Sequence, residues 1–165
     1  MSKTLMIINN SVVNFTNLKI LASDEQLDFD IESYPWKFKN NSFEKIEISH
    51  VLENVKCHKS FLEEIYRVAD LDAEIKITSY YYNSIKQHIL INQKRKISEY
   101  TFLPFNRNWR VENKIADQFH CNFEFTYGYD VTSEWSLRSD EARNFAIKHY
   151  NNVPDKLIVT LTKKN

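Results

Sequence analysis

The sequence predicts an α/β fold, a sheet parallel at its start with an antiparallel strand at its C-terminal end, in one domain spanning residues 1–165. Three observations carry this expectation. Short apolar runs alternate with stretches of helical period, and no linker-like stretch separates them. The last strand-like runs, Phe119–Tyr127 and Leu157–Leu161, follow one another in the order of an added antiparallel edge. A chain of 165 residues is also long enough to bury roughly 68–70% of its unfolded surface in a single core.

Taken in order, Leu5–Ile8 is an apolar run bounded by Asn9-Asn10-Ser11, and Leu18–Leu21 is a second strand. Leu27–Ile31 is a third, ended by Tyr34-Pro35-Trp36, a rigid corner expected to pack on the sheet with Phe38. Asn40-Asn41-Ser42 is turn chemistry leading into Phe43–Ile48, where apolar residues alternate. His58–Ala69 reads as a helix with Phe61, Leu62, Ile65, Tyr66 and Val68 on one side and Glu63, Glu64 and Arg67 on the other. Asp70-Leu71-Asp72 is expected to turn into the strand Glu74–Thr78, and Tyr80–Asn106 reads as a long, partly helical excursion. Trp109–Val111 and Phe119–Tyr127 are expected strands, the latter with Phe119, Cys121, Phe123, Phe125 and Tyr127 on one face. Ser139-Asp140-Glu141 caps a helix reaching about Tyr150, because Ser or Asp accepts the free amides of a first turn. Pro154-Asp155 then turns into the final strand Leu157–Leu161.

Composition excludes several functions. The single Gly, where average usage would give roughly 11 or 12, removes a Walker loop, a dinucleotide fingerprint and a nucleophile elbow as motifs. The 22 basic and 22 acidic residues cancel, so neither nucleic acid nor an anionic membrane is an expected partner. No apolar run approaches a membrane span, and Met1–Ile8 is too short for a secretory h-region, which makes the cytoplasm the expected location. Cys57 and Cys121 have no partner at metal-finger spacing and are read as reduced thiols. His50-x-x-Glu53 supplies only two ligands, so no metal site is expected.

The run from Leu27 to Ile46, with Asp30, Pro35-Trp36-Lys37-Phe38 and Asn41-Ser42-Phe43-Glu44, resembles class I AdoMet-dependent methyltransferases, which read there as an acid, Pro-Trp-x-Phe and Asn-Ser-Phe-Asp before strand four. Ser49-His50-Val51-Leu52-Glu53-Asn54 is similar to the family's Ser-His-Val-Leu-Glu-His. Phe61–Val68 is similar to its helix before strand five, and Ser79–Ile85 to its Pro-Tyr-Tyr-Asn-Ser segment. His149–Val153 before a β-run matches one branch, so the resemblance covers Leu27 to Leu161. It implies a Rossmann-like class I methyltransferase sheet in a minimal single domain. It also implies S-adenosylmethionine as a cofactor, held near Asn9, Asn10 and Asp30.

The chain departs from that pattern where the chemistry lies. The family holds AdoMet on a Gly-rich turn after strand one, whereas this stretch is Ile7–Phe15, where Asn9 or Asn10 would have to make the turn and Val12, Val13 and Phe15 would crowd the cofactor. The acid that ends strand two falls near Ile20, beside Lys19 of the wrong sign. The Gly-Gly turn before strand five has become Asp70-Leu71-Asp72-Ala73, and the expected Asp-Pro-Thr-His-x-Arg is Leu90-Ile91-Asn92-Gln93-Lys94-Arg95. These departures favour a chain that keeps the scaffold and binds no cofactor. Such a protein would be a regulatory or binding subunit, as a homo-oligomer or paired with an active methyltransferase. The alternative is an active AdoMet-dependent enzyme acting on a small or glycan-linked substrate. In that reading His50 is the catalytic base, at the carboxyl end of a strand, and Tyr81, Tyr82, Lys94 and Arg95 bind substrate. Against these stand plainer roles: a half-buried histidine, a turn aspartate at 30, a surface or capping Glu53, tyrosines split between core and rim, and a solvated basic face at Lys86 and Lys94–Lys96.

Overall fold

The computed structural model describes residues 3–10, 18–89, 94–115 and 118–165. Strands β1 (Thr4–Asn9), β2 (Leu18–Ala22), β3 (Glu25–Leu27), β4 (Phe43–Ser49), β5 (Ala69–Tyr80), β6 (Phe123–Val131) and β7 (Pro154–Lys163) form one sheet in the order β3-β2-β1-β4-β5-β7-β6. β1, β4 and β5 run parallel, and β7 lies antiparallel between β5 and β6, as expected for the C-terminal end.

The start of the sheet differs from expectation. β2 is antiparallel to β1, and β3 to β2. Connection length dictates this, because a parallel neighbour needs a crossover of about a dozen residues or more. β2 and β3 are joined by Ser23-Asp24 alone, with φ of 48° and 71°, the left-handed pair of a tight hairpin turn.

Other boundaries moved for local reasons. β3 stops at Leu27, and residues 28–42 wrap beneath the sheet instead of extending it. There the Trp36 ring N–H donates to the Ile31 carbonyl (3.1 Å) and the Trp36 backbone N–H to Glu64 Oε1 (2.7 Å). Rings of Phe29, Trp36, Phe38, Phe43 and Phe61 pack edge to face at 5.0–5.8 Å. Helix α1 (His58–Val68) forms where expected, with Phe61, Leu62, Ile65 and Val68 buried. It passes straight into β5. Asp70–Asp72 therefore lie inside the strand as an irregularity, with Asp72 at φ 59°.

The excursion after β5 contains 3-10 turns at Ile85–Ile89 and Glu99–Phe105, then a helix, α2 (Arg107–Glu112), in place of the predicted strand at Trp109–Val111. Asn106 caps it, its Oδ1 accepting the Trp109 N–H at 2.8 Å. Arg110 is buried and donates to the carbonyls of Pro104 (2.9 Å) and Cys121 (3.2 Å), whereas Val111 is 70% exposed, the reverse of the hydrophobic reading. Phe119 and Cys121 precede β6, which begins at Phe123. After α3 (Ser133–Ser136), α4 (Asp140–His149) is capped by Ser139 as predicted, and the last strand starts already at Pro154.

The core lies on one face of the sheet. Leu5, Ile7, Ile46, Ile48, Ile75, Ile77, Val159 and Leu161 are each at most 1% exposed and meet the apolar side of α1, Trp36 and Phe102. Along β1, β4, β5 and β7 the residues of opposite parity, such as Met6, Glu47, Lys76 and Thr160, keep solvent contact, apart from Phe43 and Pro154 at the starts of β4 and β7, which are buried. Cys57 lies at the surface and Cys121 is buried.

Candidate functional site

In a sheet of this order the chain leaves β1 on one side and resumes with β4 on the other, so the carboxyl ends of β1 and β4 stand at the switch point where open α/β sheets place their ligands. Asn9, the last residue of β1, and His50, the first after β4, stand there. Asn9 is buried and Asn10 exposed. The His50 N–H still donates to the Thr78 carbonyl (2.9 Å), and a φ of 53° then turns the chain out of the strand. Its half-buried ring lies 4.3 Å from the ring of Tyr80, and its Nδ1 is 3.4 Å from Glu53 Oε1.

Glu53 is the residue that the sequence reading undervalued. It is no surface or capping carboxylate but fully buried. The reason is strand length: β5 outruns β4, so the N–H and C=O of Tyr80, which point towards β4, lack a ladder partner. Glu53 Oε1 accepts the N–H at 2.8 Å, and Gln87 Nε2 donates to the C=O at 2.6 Å. These side chains take the place of the missing strand. Glu53 Oε2 and Gln87 Oε1 remain buried without a partner among the described residues. A buried carboxylate oxygen left unpaired is the feature that a donor group of a ligand or a water completes. Nothing in local sequence pattern marks Gln87, although an acidic residue three positions after His50 was visible as a possible pair.

The other predicted residues are distributed around this point. Lys94 and Arg95 donate their backbone N–H groups to the Glu53 carbonyl (3.0 and 3.4 Å), which draws their segment to the His50 loop. The Lys94 side chain leads to Glu32, 4.0 Å away, and Glu32 also pairs with Lys56 (3.0 Å). Arg95 lines a cleft of about 350 Å³ with Cys57, His58, Lys59, Tyr100 and Phe119. Within it, the hydrogen bond from Ser60 (3.4 Å) holds the Cys57 thiol below its ordinary range. Tyr81 is buried, with its hydroxyl donating to Glu99 (3.1 Å), and burial raises its pKa well above the usual tyrosine value. Tyr82 is 43% exposed and opens onto a second cleft, of about 430 Å³, with His88, Lys96 and Asn152.

Asp30 is exposed and serves its own turn, accepting the Glu32 N–H at 2.9 Å. Ile20, where the resemblance would set an acid, is core: it pairs with Ile7 and Leu27 and is 2% exposed. Because β2 runs backwards, its carboxyl end lies beside the start of β1, where the Ser23 N–H donates to the Thr4 carbonyl (2.8 Å), at the opposite end of the sheet from His50. Val12, Val13 and Phe15 lie outside the described residues, as do residues 90–93. Among the described residues no three His, Cys, Asp or Glu gather as a metal site, and no helix is long and apolar enough to cross a membrane.

No family model matches this chain, and no curated protein does either. Solved structures do. The chain is similar to a SAM-dependent methyltransferase from Archaeoglobus fulgidus, with TM-score 0.57, 15% identity, 83% of this chain and 66% of that one covered. It is also similar to an S-adenosylmethionine-dependent methyltransferase from Mesorhizobium loti, with TM-score 0.50, 11% identity, 82% of this chain and 67% of that one covered. At such identities the likeness is one of fold: the chain has the seven-stranded sheet of class I methyltransferases and spans about two thirds of their length.

Proposed function

We propose that this chain is a methyltransferase-fold protein that does not transfer methyl groups and works as a binding or regulatory subunit, by self-association or beside an active relative. The reversed direction of β2 carries this reading. A doubly wound nucleotide site gathers the carboxyl ends of successive parallel strands, so that one turn approaches the cofactor and the next strand's end offers an acid to the ribose. Here β2 delivers its end to the far side of the sheet, Ile20 is in the core, and the chain's one Gly, Gly128, lies in β6. These placements weigh against an AdoMet site among the described residues. Asp30, committed to a turn, does not replace the missing strand end.

The test is thermal unfolding and calorimetric titration with millimolar AdoMet and its demethylated product. A ligand at about 100 times its Kd would add roughly 2.7 kcal/mol, several degrees for a domain of this size. The expected result is no shift and no heat. A clear shift refutes the reading and leaves the alternative, an active enzyme. One observation favours that alternative: a buried carboxylate beside His50 Nδ1 is the arrangement that orients an imidazole as a base. In it Asn9, Asn10 and Asp30 would contact the cofactor, and Tyr81, Tyr82, Lys94 and Arg95 the substrate.

A further inference from the structure

The sheet face opposite α1 carries a charge pattern that the fold itself does not require. At its centre Lys45 stands beside Glu74, and Glu47 beside Lys76, in the β4–β5 register. Charge therefore alternates both along each strand and across the pair. Lys45 and Glu47 also pair within β4 at 3.1 Å, with side chains 44% and 35% exposed. The face is open at its edge too: a Cβ at Gly128 would meet nothing within 4 Å.

We infer that this face binds a second copy of the same chain, sheet against sheet. A four-charge checkerboard is its own complement. A two-fold axis lying between β4 and β5, along the strands, sets β4 of each copy over β5 of the other. Lys45 then faces Glu74 and Glu47 faces Lys76, each contact made twice. The same rotation exchanges β1 with β7. Ile8 shares a row with Ser49, Thr78 and Ile158, so it meets Ile158 of the other copy; Thr4 shares a row with Thr162 and meets it likewise. In the row between them Met6 meets Thr160, and each of the four central charges opposes its opposite. Twisted sheets stack in this manner with strands offset by about 30°. The axis exchanges six strands in pairs, β4 with β5, β1 with β7 and β2 with β6; at about 4.8 Å spacing and about five residues at 3.3 Å they give roughly 500 Å² per copy, hence about 1,000 Å² for the pair, the lower bound for a specific interface. A small interface centred on charges is expected to be reversible and weakened by salt.

The test is sedimentation equilibrium of the full chain from about 1 to 200 µM at low and high salt, with Lys45→Glu, Glu74→Lys and the double reversal. The wild-type chain should dimerise reversibly. Each single reversal sets like charges in contact twice and should raise Kd at least about tenfold, while the double reversal should return it to within about threefold of wild type. Unfolding midpoints at low concentration verify that the variants fold. A chain that stays monomeric overturns the inference. So does a dimer indifferent to the single reversals, which would be held through another surface, and so does a double reversal that fails to recover.

Discussion

At the scale of single residues, Glu53 and His58 show how burial assigns roles that residue type leaves open. Glu53 is held because Tyr80 has an N–H with no strand to receive it. Glu53→Ala should cost about 1–3 kcal/mol, since it leaves that buried donor unpaired, whereas Glu53→Gln keeps an acceptor and should cost less. Urea denaturation with an unchanged m-value checks this, and a neutral Glu53→Ala would mean that the carboxylate serves a ligand and not the fold. His58 is buried, and its Nε2 donates to the Leu52 carbonyl at 2.8 Å; desolvation lowers its pKa below the ordinary 6.5. In the unfolded chain it titrates near 6.5, so stability is fully present above that pH. As pH falls below it, the unfolded state gains a proton that the folded state refuses, and stability declines. Denaturation at pH 7.5 and 5.5 should show the decline, and His58→Gln should reduce it. An unchanged pH dependence in that variant would remove His58 as the cause.

At the scale of elements, Glu64 ties the segment 28–42 to α1. It receives the Trp36 N–H and two bonds from Arg67, which also reaches the carbonyls of Phe38 and Trp36. Glu64→Ala should therefore cost more than the typical surface salt bridge, about 2–4 kcal/mol, because a buried amide and a guanidinium lose their acceptor together. Replacing the Ser139 cap of α4 with Ala should cost only about 1 kcal/mol, since that helix end is exposed. Comparing the two by chemical denaturation orders them, and equal costs would contradict the buried status of Glu64. Elements with a strong local signal were legible beforehand: β1, β4, α1 and the capped α4 lie within a residue or two of their predicted bounds. Trp109–Val111 misled because an apolar-Arg-apolar triplet looks like alternation. A buried Arg110 satisfied by two carbonyls inverts it, and those carbonyls, of Pro104 and Cys121, lie outside the triplet in the segments on either side of α2.

At the scale of the molecule, one face of the sheet holds the core while the other keeps a charged, threonine-rich surface. This division has a consequence for mutation. Trp36→Ala, on the covered side, should cost about 3–5 kcal/mol, whereas Lys76→Ala on the open side should stay within about 0.5 kcal/mol at concentrations where the chain is monomeric. Thermal unfolding of both variants measures the contrast, and a large loss from Lys76→Ala would show that the open face is structural.

The sequence by itself determined the class of fold, the main strands, the helices with clear period or cap, and the absence of a glycine cradle, because each depends on residues close together in the chain. It also brought His50 to the end of a strand. Only the tertiary structure decided that β2 runs backwards, that Glu53 is buried against Tyr80, that Gln87 joins it, and that Lys45, Glu47, Glu74 and Lys76 form one checkerboard. Those facts depend on register and on which strand outlasts its neighbour, and both are settled by contacts between residues far apart in the chain.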